Sequence, residues 1–479
     1  MLTGMNERKT RSKPPRPTGG LTARQAALRV LSDQAETGQN GRQLLETMIE
    51  QGLLPPRERP LAYELVMGVL RHRLTLSHIL GLVASRKWSD VDPLLQQVLM
   101  LGAYQLIWLD GIPAFASVSE TVGLVKAGGG RGASRFVNAL LRELQRRIEH
   151  LRIGEEDCVP VRSLQVGDGR YCQFREPILP DPARNPVDYL ALSTSHPQSL
   201  VAGWVECFGV EAARKICLAG LCRPPMILRP NPMKTNAQSL VDRLDGEGVE
   251  AAADVDGLAV QVVGAVQLTS TACYAEGVFQ PQDRTAMGVV RAMNPRSGQT
   301  IIDLCAGVGT KSTQAAELMG DEGCVLASDQ DRRRLGALER GCKRLGLSCV
   351  RTVHIDDIES AVTGLGQIDW ILVDVPCSNT GVLARRPEAR YRFNRRSVQM
   401  LADLQLELLE RAERLVTKGT RLAYSTCSLE PVENEDVIKR FCEKHHHWKL
   451  SGSQRTFPSG DPADTPYHDG GYWALLDRG

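Results

Sequence analysis

The sequence predicts a multidomain protein: an all-α N-terminal domain, a small α+β subdomain, and a C-terminal α/β domain on a mostly parallel, Rossmann-like sheet. Three observations carry that prediction. The chain has 479 residues, more than one ordinary hydrophobic core holds. Through the first third, apolar residues recur at three-to-four spacing, the period of an amphipathic helix. From about residue 280, short apolar runs alternate with helical stretches, which describes a parallel sheet covered on both faces, with ligands at the strand carboxyl ends.

Residues 1–20 come first. Arg8, Lys9, Arg11, Lys13 and Arg16 stand there against Glu7, with Pro14, Pro15 and Pro17. Without the apolar middle of a secretory signal, this reads as a disordered basic arm on a cytoplasmic protein. Steering toward phosphate and a simple solvated tail are both open. Residues 21–150 read as a compact helical domain. Leu21, Ala26, Ala27, Val30 and Leu31 share a helical face, as do Leu61, Leu65, Val66, Val69 and Leu70, and then Val98, Leu101, Ala103 and Leu106. Glycines 128–130 interrupt, and a further helix starts near Ala133. Residues 1–150 carry 20 Lys/Arg against 13 Asp/Glu, or +7, so the remainder sums to −5 in a chain of net charge +2. The basic third suits an anionic partner.

Turn formers dominate residues 151–186, ending in Pro177, Pro180, Pro182 and Pro186, and predict a linker or irregular insert. Residues 187–279 read as the small α+β subdomain, with a helical piece near 197–218, an apolar run at 225–229, a helix near 239–248 and a strand near 258–263. Residues 280–479 form the α/β domain. Its expected strands are 300–304, 324–328, 350–354, 370–373 and 420–424, and its expected helices 311–319, 332–345 and 397–416.

Hydrophobic residues are 42% and charged residues 24% of the chain, a globular balance. The most apolar stretch, from Val98 to Ile112, is broken by Gln105 and Asp110 and reads as a core helix rather than a membrane span. Thirteen cysteines, an odd number with no export signal, predict free thiols. No Cys/His pairs stand at zinc spacing, and His445-His446-His447 reads as an exposed helix end, so no metal is expected. Nothing resembles a dimer stripe, and a monomer is expected.

The run Thr300-Ile301-Ile302-Asp303-Leu304 leads into Cys305-Ala306-Gly307-Val308-Gly309-Thr310-Lys311, where a helix begins. Glycines at a strand-to-helix turn let the backbone approach a ligand. A lone Gly-x-Gly is weak evidence, but Asp329 ends the next strand, 20 residues after Gly309. A carboxylate there can accept both hydroxyls of a ribose; the competing role is a helix cap ahead of Arg332. The third glycine of a pyrophosphate fingerprint and the Walker pattern are both absent. A nucleoside without a diphosphate fits, and S-adenosylmethionine is one. The candidate cofactor contacts are therefore Cys305 to Lys311 of the loop, Asp329, and Asp356 after the third strand, with neighbouring Asp357 an open substitute.

Two cysteines then fall at strand carboxyl ends of that sheet. Asp374-Val375-Pro376-Cys377-Ser378-Asn379-Thr380-Gly381 follows 371–373, and Tyr424-Ser425-Thr426-Cys427-Ser428-Leu429-Glu430 follows the strand near Leu422. One free cysteine is usually a small buried hydrophobe; two opening loops beside a nucleoside site fit a particular chemistry. Carbon 5 of cytosine is a poor nucleophile until a thiolate adds to carbon 6 and makes the ring enamine-like. Asp374 can hold the ring nitrogen and amino group, and a second group near the adduct can assist release. A base in a duplex must first be flipped out.

Asp-x-Pro-Cys-Ser-x-x-Gly together with Tyr-Ser-Thr-Cys-Ser-Leu-x-Pro-x-Glu-Asn-Glu, here Tyr424 to Glu435, resembles the NOL/NOP/Sun family of RNA cytosine-5 methyltransferases. That resemblance implies Cys427 as nucleophile, Cys377 as the cysteine that aids product release, and S-adenosylmethionine as cofactor, with Asp374 also beside it. The order of the motifs separates the chain from DNA cytosine-5 methyltransferases, which attack with the Pro-Cys cysteine. Phe279-Gln280-Pro281-Gln282-Asp283, the segment from Met226 to Thr235 and the basic loop Gly381 to Glu388 also resemble the family. In that loop Arg385, Arg386 and Arg390 are even candidates for RNA phosphate contacts or a solvated surface. Glu64 to Arg71, Ile112-Pro113, Val118-Ser119-Glu120 and Phe136 to Arg142 are similar to the NusB-type RNA-binding fold. The fusion implies the branch that acts on small-subunit (16S) ribosomal RNA.

Two places depart from the pattern. The family's loop reads Ala-x-Pro-Gly-Gly-Lys-Thr, and Val308, Thr310 and Ser312 stand at the proline, second glycine and threonine. The C-terminal segment 465–472 keeps Asp469-Gly470 but lacks the His-Arg before it. The altered loop motivates an alternative from another class, a noncatalytic RNA-binding or ribosome-assembly protein; Asp374, Cys377 and Cys427 oppose it.

Overall fold

The computed structural model describes residues 20–126, 131–167, 169–264, 266–459 and 466–479. The basic arm and glycines 128–130 lie outside them. The described chain divides into two compact units, one ending at Leu179 and one from Pro180 to Gly479.

The first unit is helical, as expected. Its helices are α1 (Ala23–Thr37), α2 (Gly41–Glu50), α3 (Arg59–Val83), α4 (Pro93–Trp108), α5 (Ala114–Lys126) and α6 (Arg131–Arg147). Thr22 and Gln25 close a capping box on α1, and Asp92 caps α4 ahead of Pro93, satisfying backbone N–H groups that the first turn leaves without partners. Ala26, Ala27, Val30, Leu31, Leu65, Val66, Val69, Leu70, Val98, Leu101 and Ala103 are fully buried or nearly so, the periodic faces read from the sequence.

Residues 151–186, expected as a linker or irregular insert, instead hold most of a regular sheet. Strands β1 (Ile148–Gly154), β2 (Ser163–Gly167) and β3 (Arg170–Phe174) form an antiparallel sheet in the order β1-β3-β2. Leu164, Cys172 and Phe174 bury its inner face, and Ile178 O accepts from His78 Nε2 at 2.7 Å. The register shifts along both strand pairs, so no clean alternation survives in the sequence; the turn formers occupy the connections.

The second unit opens with α7 (Pro186–Ser193), α8 (Gln198–Phe208) and α9 (Val210–Ala219). The single helical piece expected over 197–218 is two helices, broken at Gly209, whose φ of 81° is left-handed. Then come β4 (Met226–Pro230), α10 (Ala237–Gly246), β5 (Ala251–Ala253), β6 (Val260–Val262), α11 (Ala272–Ala275) and β7 (Phe279–Pro281), with an antiparallel sheet ordered β5-β6-β4-β7. This subdomain is bonded to the α/β domain beside it. Arg229 on β4 is buried against Glu317, donates to Thr310 O at 2.9 Å, and so ties the small sheet to the start of the glycine-loop helix.

The rest is α12 (Arg284–Met293), β8 (Thr300–Asp303), α13 (Thr310–Leu318), β9 (Cys324–Asp329), α14 (Arg332–Leu345), β10 (Val350–His354), α15 (Ile358–Ala361), β11 (Trp370–Asp374), α16 (Arg395–Glu413), β12 (Arg421–Thr426), α17 (Glu435–Lys444), β13 (Trp448–Thr456) and β14 (Gly471–Arg478). Among the described residues the sheet order is β10-β9-β8-β11-β12-β14-β13, parallel from β10 to β12 and antiparallel at β14 and β13. One apolar layer gathers Ile302, Ile371, Val373, Leu409 and Phe441, the other Val290, Ala315, Leu338 and Leu372. Strands buried on both faces are near-continuous apolar runs, which is why their bounds were legible. Among the described residues no helix is long and apolar enough to cross a membrane, and all thirteen cysteines are free.

Candidate active site

The site arises from strand order. The order reverses between β8 and β11, and a crevice opens at such a switch point beyond the strand carboxyl ends. The glycine loop leaves β8, while the two cysteine loops leave the neighbouring strands β11 and β12. Asp374 pairs with Ser425 in the β11–β12 register, so residues three and two positions beyond them meet. Cys377 Sγ and Cys427 Sγ lie 3.0 Å apart.

A buried carboxylate stitches the two loops together. Glu433 accepts from Ser378 N at 2.9 Å, Ser428 Oγ at 2.5 Å and Gln405 Nε2 at 3.0 Å, and also from Ser378 Oγ. Tyr424, inside the same motif, donates to Glu433 O at 2.5 Å. Such satisfied polar networks fix loop geometry. Thr380 Oγ1 accepts from Leu429 N, and Cys427 O from Gly381 N, both at 2.9 Å.

Asp374 faces two donors: Ser425 Oγ reaches Oδ1 at 2.6 Å and Lys311 Nζ reaches Oδ2 at 2.7 Å. Lys311, expected among the cofactor contacts, thus turns its ammonium toward the cysteine side. Burial works against that charge, but Asp374 overrides it and holds the amine above its ordinary value. The two thiols are perturbed in opposite senses. The Cys377 thiol is pushed well up by its bond to Cys427 and by burial. The Cys427 thiol is held below its ordinary value, chiefly by that same bond, against burial, with Arg386 and Lys311 adding positive charge. Cys305, in the glycine loop, is pushed well up by burial and by nearby Asp303 and Asp374.

In the loop, Gly307 and Gly309 both have left-handed φ, 59° and 81°. Gly309 also packs so closely on Leu338 that any Cβ there would overlap that side chain. Asp329 Oδ2 accepts from Gly307 N at 2.9 Å and Oδ1 from Asp331 N at 2.8 Å. The cap of α14 is Asp331, which accepts from Arg333 N, so Asp329 is not the cap. Val308, where the family has proline, is exposed, and Ser312 donates to Asp303 Oδ2 at 2.6 Å. Asp356 follows β10, whose last residue pairs with Asp329; its side chain is exposed and 3.3 Å from His354 Nδ1. Asp357 is exposed too.

Two of the three candidate phosphate-contacting arginines are structural. Arg390 is fully buried and donates to Thr194 O and Ser195 O at 3.2 Å and to Gly220 O at 2.7 Å. Arg385 pairs with Asp469 at 2.6 Å and Asp283 at 3.2 Å. Arg386 alone is exposed, and its Nη1 donates to Asn379 Oδ1 at 3.0 Å. His445 and His447 are not a plain exposed helix end: their donor atoms and that of Glu413 lie within 4.8 Å of one another, at the end of the sheet opposite the two cysteines. Ser425, Asn379 and Glu433 were missed as site residues, although each stands within or beside a cysteine motif.

A helical domain, a small antiparallel subdomain and a parallel sheet with this crevice define a methyltransferase architecture, and comparisons with known proteins agree. Residues 290–464 match the model described as 16S rRNA methyltransferase RsmB/F, residues 21–146 match the NusB family, and residues 196–269 match the ferredoxin-like domain of RsmF/B-like methyltransferases. A probable ribosomal RNA small subunit methyltransferase B of Bacillus subtilis is 34% identical, over 84% of this chain and 84% of its own length. One from Synechocystis is 32% identical over 92% and 93%. The chain belongs to the RsmB/F methyltransferase family. The crystal structure of PH0851 matches with a TM-score of 0.74 at 21% identity, over 98% of this chain and all of its own. That of NSun6 from Pyrococcus horikoshii with SFG matches with a TM-score of 0.51 at 22% identity, over 59% of this chain and 98% of its own. Both likenesses concern the fold.

Proposed function

We propose that this protein transfers a methyl group from S-adenosylmethionine to carbon 5 of a cytosine in small-subunit ribosomal RNA. Cys427 is the nucleophile and Cys377 assists release. The observation that carries the reading is the 3.0 Å thiol pair beside Asp374 and Lys311.

The glycine loop from Cys305 to Lys311, with Asp329, Asp356 and the edge of Asp374, would hold the cofactor. Its fit rests on two features: the backbone at Gly307 has open space where a side chain would stand, and a buried carboxylate, Asp329, closes one side of the turn. Val308 and Thr310 leave that turn intact, which disfavours a noncatalytic protein. When bound, the cofactor supplies an electrophilic methyl group.

The chain's own residues do the rest. Cys427 thiolate adds to carbon 6, and the electron pair moves toward the ring nitrogen and carbonyl. Asp374 accepts from the exocyclic amino group, and the Lys311 ammonium offsets the negative charge that builds on the ring. Carbon 5 takes the methyl group; the carbon-5 proton then passes to solvent water, its bonding pair reforms the ring double bond, and the carbon 6–sulfur bond breaks to expel Cys427 as the thiolate. Cys377, protonated beside it, donates a hydrogen bond to the departing sulfur and keeps its proton, so the starting thiol–thiolate pair is restored. The NusB-like domain supplies an RNA-binding surface, and the base enters unpaired. Labelled cofactor and small-subunit ribosomal RNA lacking the mark test the reading. Transfer to one cytosine, read as bisulfite protection, is expected from the wild type. A Cys427→Ala variant with full activity contradicts it.

A further inference from the structure

Two thiols stand 3.0 Å apart and either can donate to the other, while the proposed chemistry needs Cys427 ionised and the proton on Cys377. The distance alone is symmetric, and so is the placement of both sulfurs at the ends of adjacent strands. The asymmetry must come from the groups facing each sulfur. Glu433, on the turn before α17, is bonded to both loops, at Ser378 N and at Ser428 Oγ, and its charge raises the Cys377 thiol. Asp374 from β11 and Lys311 from α13 face Cys427, but they are bonded to each other at 2.7 Å, so their charges largely cancel. Among the described residues, the other charged group acting on Cys427 is Arg386. Its guanidinium is bonded to a neutral amide: Asn379 Oδ1 accepts from Arg386 Nη1 at 3.0 Å and from Cys427 Sγ at 3.5 Å. The amide is itself fixed, because Asn379 has a left-handed φ of 63° and its Nδ2 donates to Cys377 O at 2.7 Å. Glu388, two residues beyond Arg386, is pushed toward its neutral form by burial.

We infer that Arg386 is the positioning residue that decides which thiol is ionised: anchored by Asn379 beside the sulfur pair, it places the negative charge on Cys427 and leaves the proton on Cys377. The inference rests on Cys427 being the nucleophile. It separates Arg386 from a plain phosphate contact, since the effect exists without RNA. An arginine keeps its charge at any working pH and its fork can hold an amide oxygen with one nitrogen while the charge stays spread over the whole guanidinium. The opposite perturbation of the two thiols has the sense this requires.

Alkylation of the full chain by iodoacetamide, without RNA or cofactor, tests it. The Cys427 peptide is followed by mass spectrometry across pH. Arg386→Met is expected to move the Cys427 midpoint up by about one pH unit, so that modification near neutrality slows about tenfold; Arg386→Lys falls between. Asn379→Gly, which tolerates the backbone and frees the guanidinium, is expected to raise the midpoint as well, and it carries the test if Arg386→Met does not fold. An unchanged midpoint in these variants overturns the inference, including when RNA binding weakens. Loss of methyl transfer in Cys427→Ala is read separately, so failure of either claim is visible.

Discussion

Lys311 Nζ and Asp374 Oδ2 stand 2.7 Å apart, joining the cofactor loop's helix to the strand that carries the first cysteine motif. Each side chain restrains the charge of the other at the point where ring charge develops. Replacing either leaves its partner uncompensated. Lys311→Met and Asp374→Asn are each expected to lower kcat by about 10²–10³-fold, the scale of removing one preorganised polar group. Single-turnover methyl transfer to ribosomal RNA at saturating cofactor measures it.

The cofactor turn depends on Gly309. A side chain there meets Leu338 and a φ of 81°, both unfavourable. Gly309→Ala is expected to cost about 1–3 kcal/mol of stability and to weaken cofactor binding. Denaturant unfolding and titration calorimetry with S-adenosylmethionine check the two effects.

The buried pair Arg229 and Glu317, bonded at 2.8 Å, fastens the small subdomain to the helix that opens the cofactor site. Removing one partner leaves a buried charge. Arg229→Met is expected to destabilise the second unit by about 3–5 kcal/mol, measured by chemical denaturation, whereas an exposed pair such as Lys439 and Glu443 contributes little.

Burial pushes the Asp303 carboxyl up to about 7, opposed by the bond from Ser312. A carboxyl with a raised folded pKa binds its proton more tightly in the native state. Its contribution is fully present below about pH 4 and is lost as pH rises through about 7. Asp303→Asn keeps an acceptor without the charge, so its stability relative to wild type is expected to improve from pH 5 to pH 8. Parallel denaturation series at the two pH values measure the difference.

Much of this was legible in the sequence, for physical reasons. Strands such as Ile371-Leu372-Val373 are apolar on both faces, and the helices of the first unit bury periodic faces, so both stood out. Cys377 and Cys427 were legible as a pair because each opens a loop after a strand. Their 3.0 Å contact was not, since it depends on β11 and β12 being neighbours, which only topology decides. Residues 151–186 misled because their sheet buries few side chains. The loop arginines misled for a related reason: charge type alone does not say whether a guanidinium, like that of Arg390, faces carbonyls in the interior or solvent. Lys311 sat in the glycine loop by sequence, but as the second residue of α13 it reaches Asp374 with its ammonium.

In the proposed reaction Cys427 attacks and Cys377 releases, and covalent trapping of the RNA separates the two roles. Cys377→Ala incubated with cofactor and unmodified small-subunit RNA is expected to accumulate a protein–RNA adduct that survives denaturing electrophoresis, and Cys377→Ala/Cys427→Ala to give none. An adduct that persists in the double variant, or one that forms with Cys427→Ala alone, would overturn the assignment of Cys427 as nucleophile.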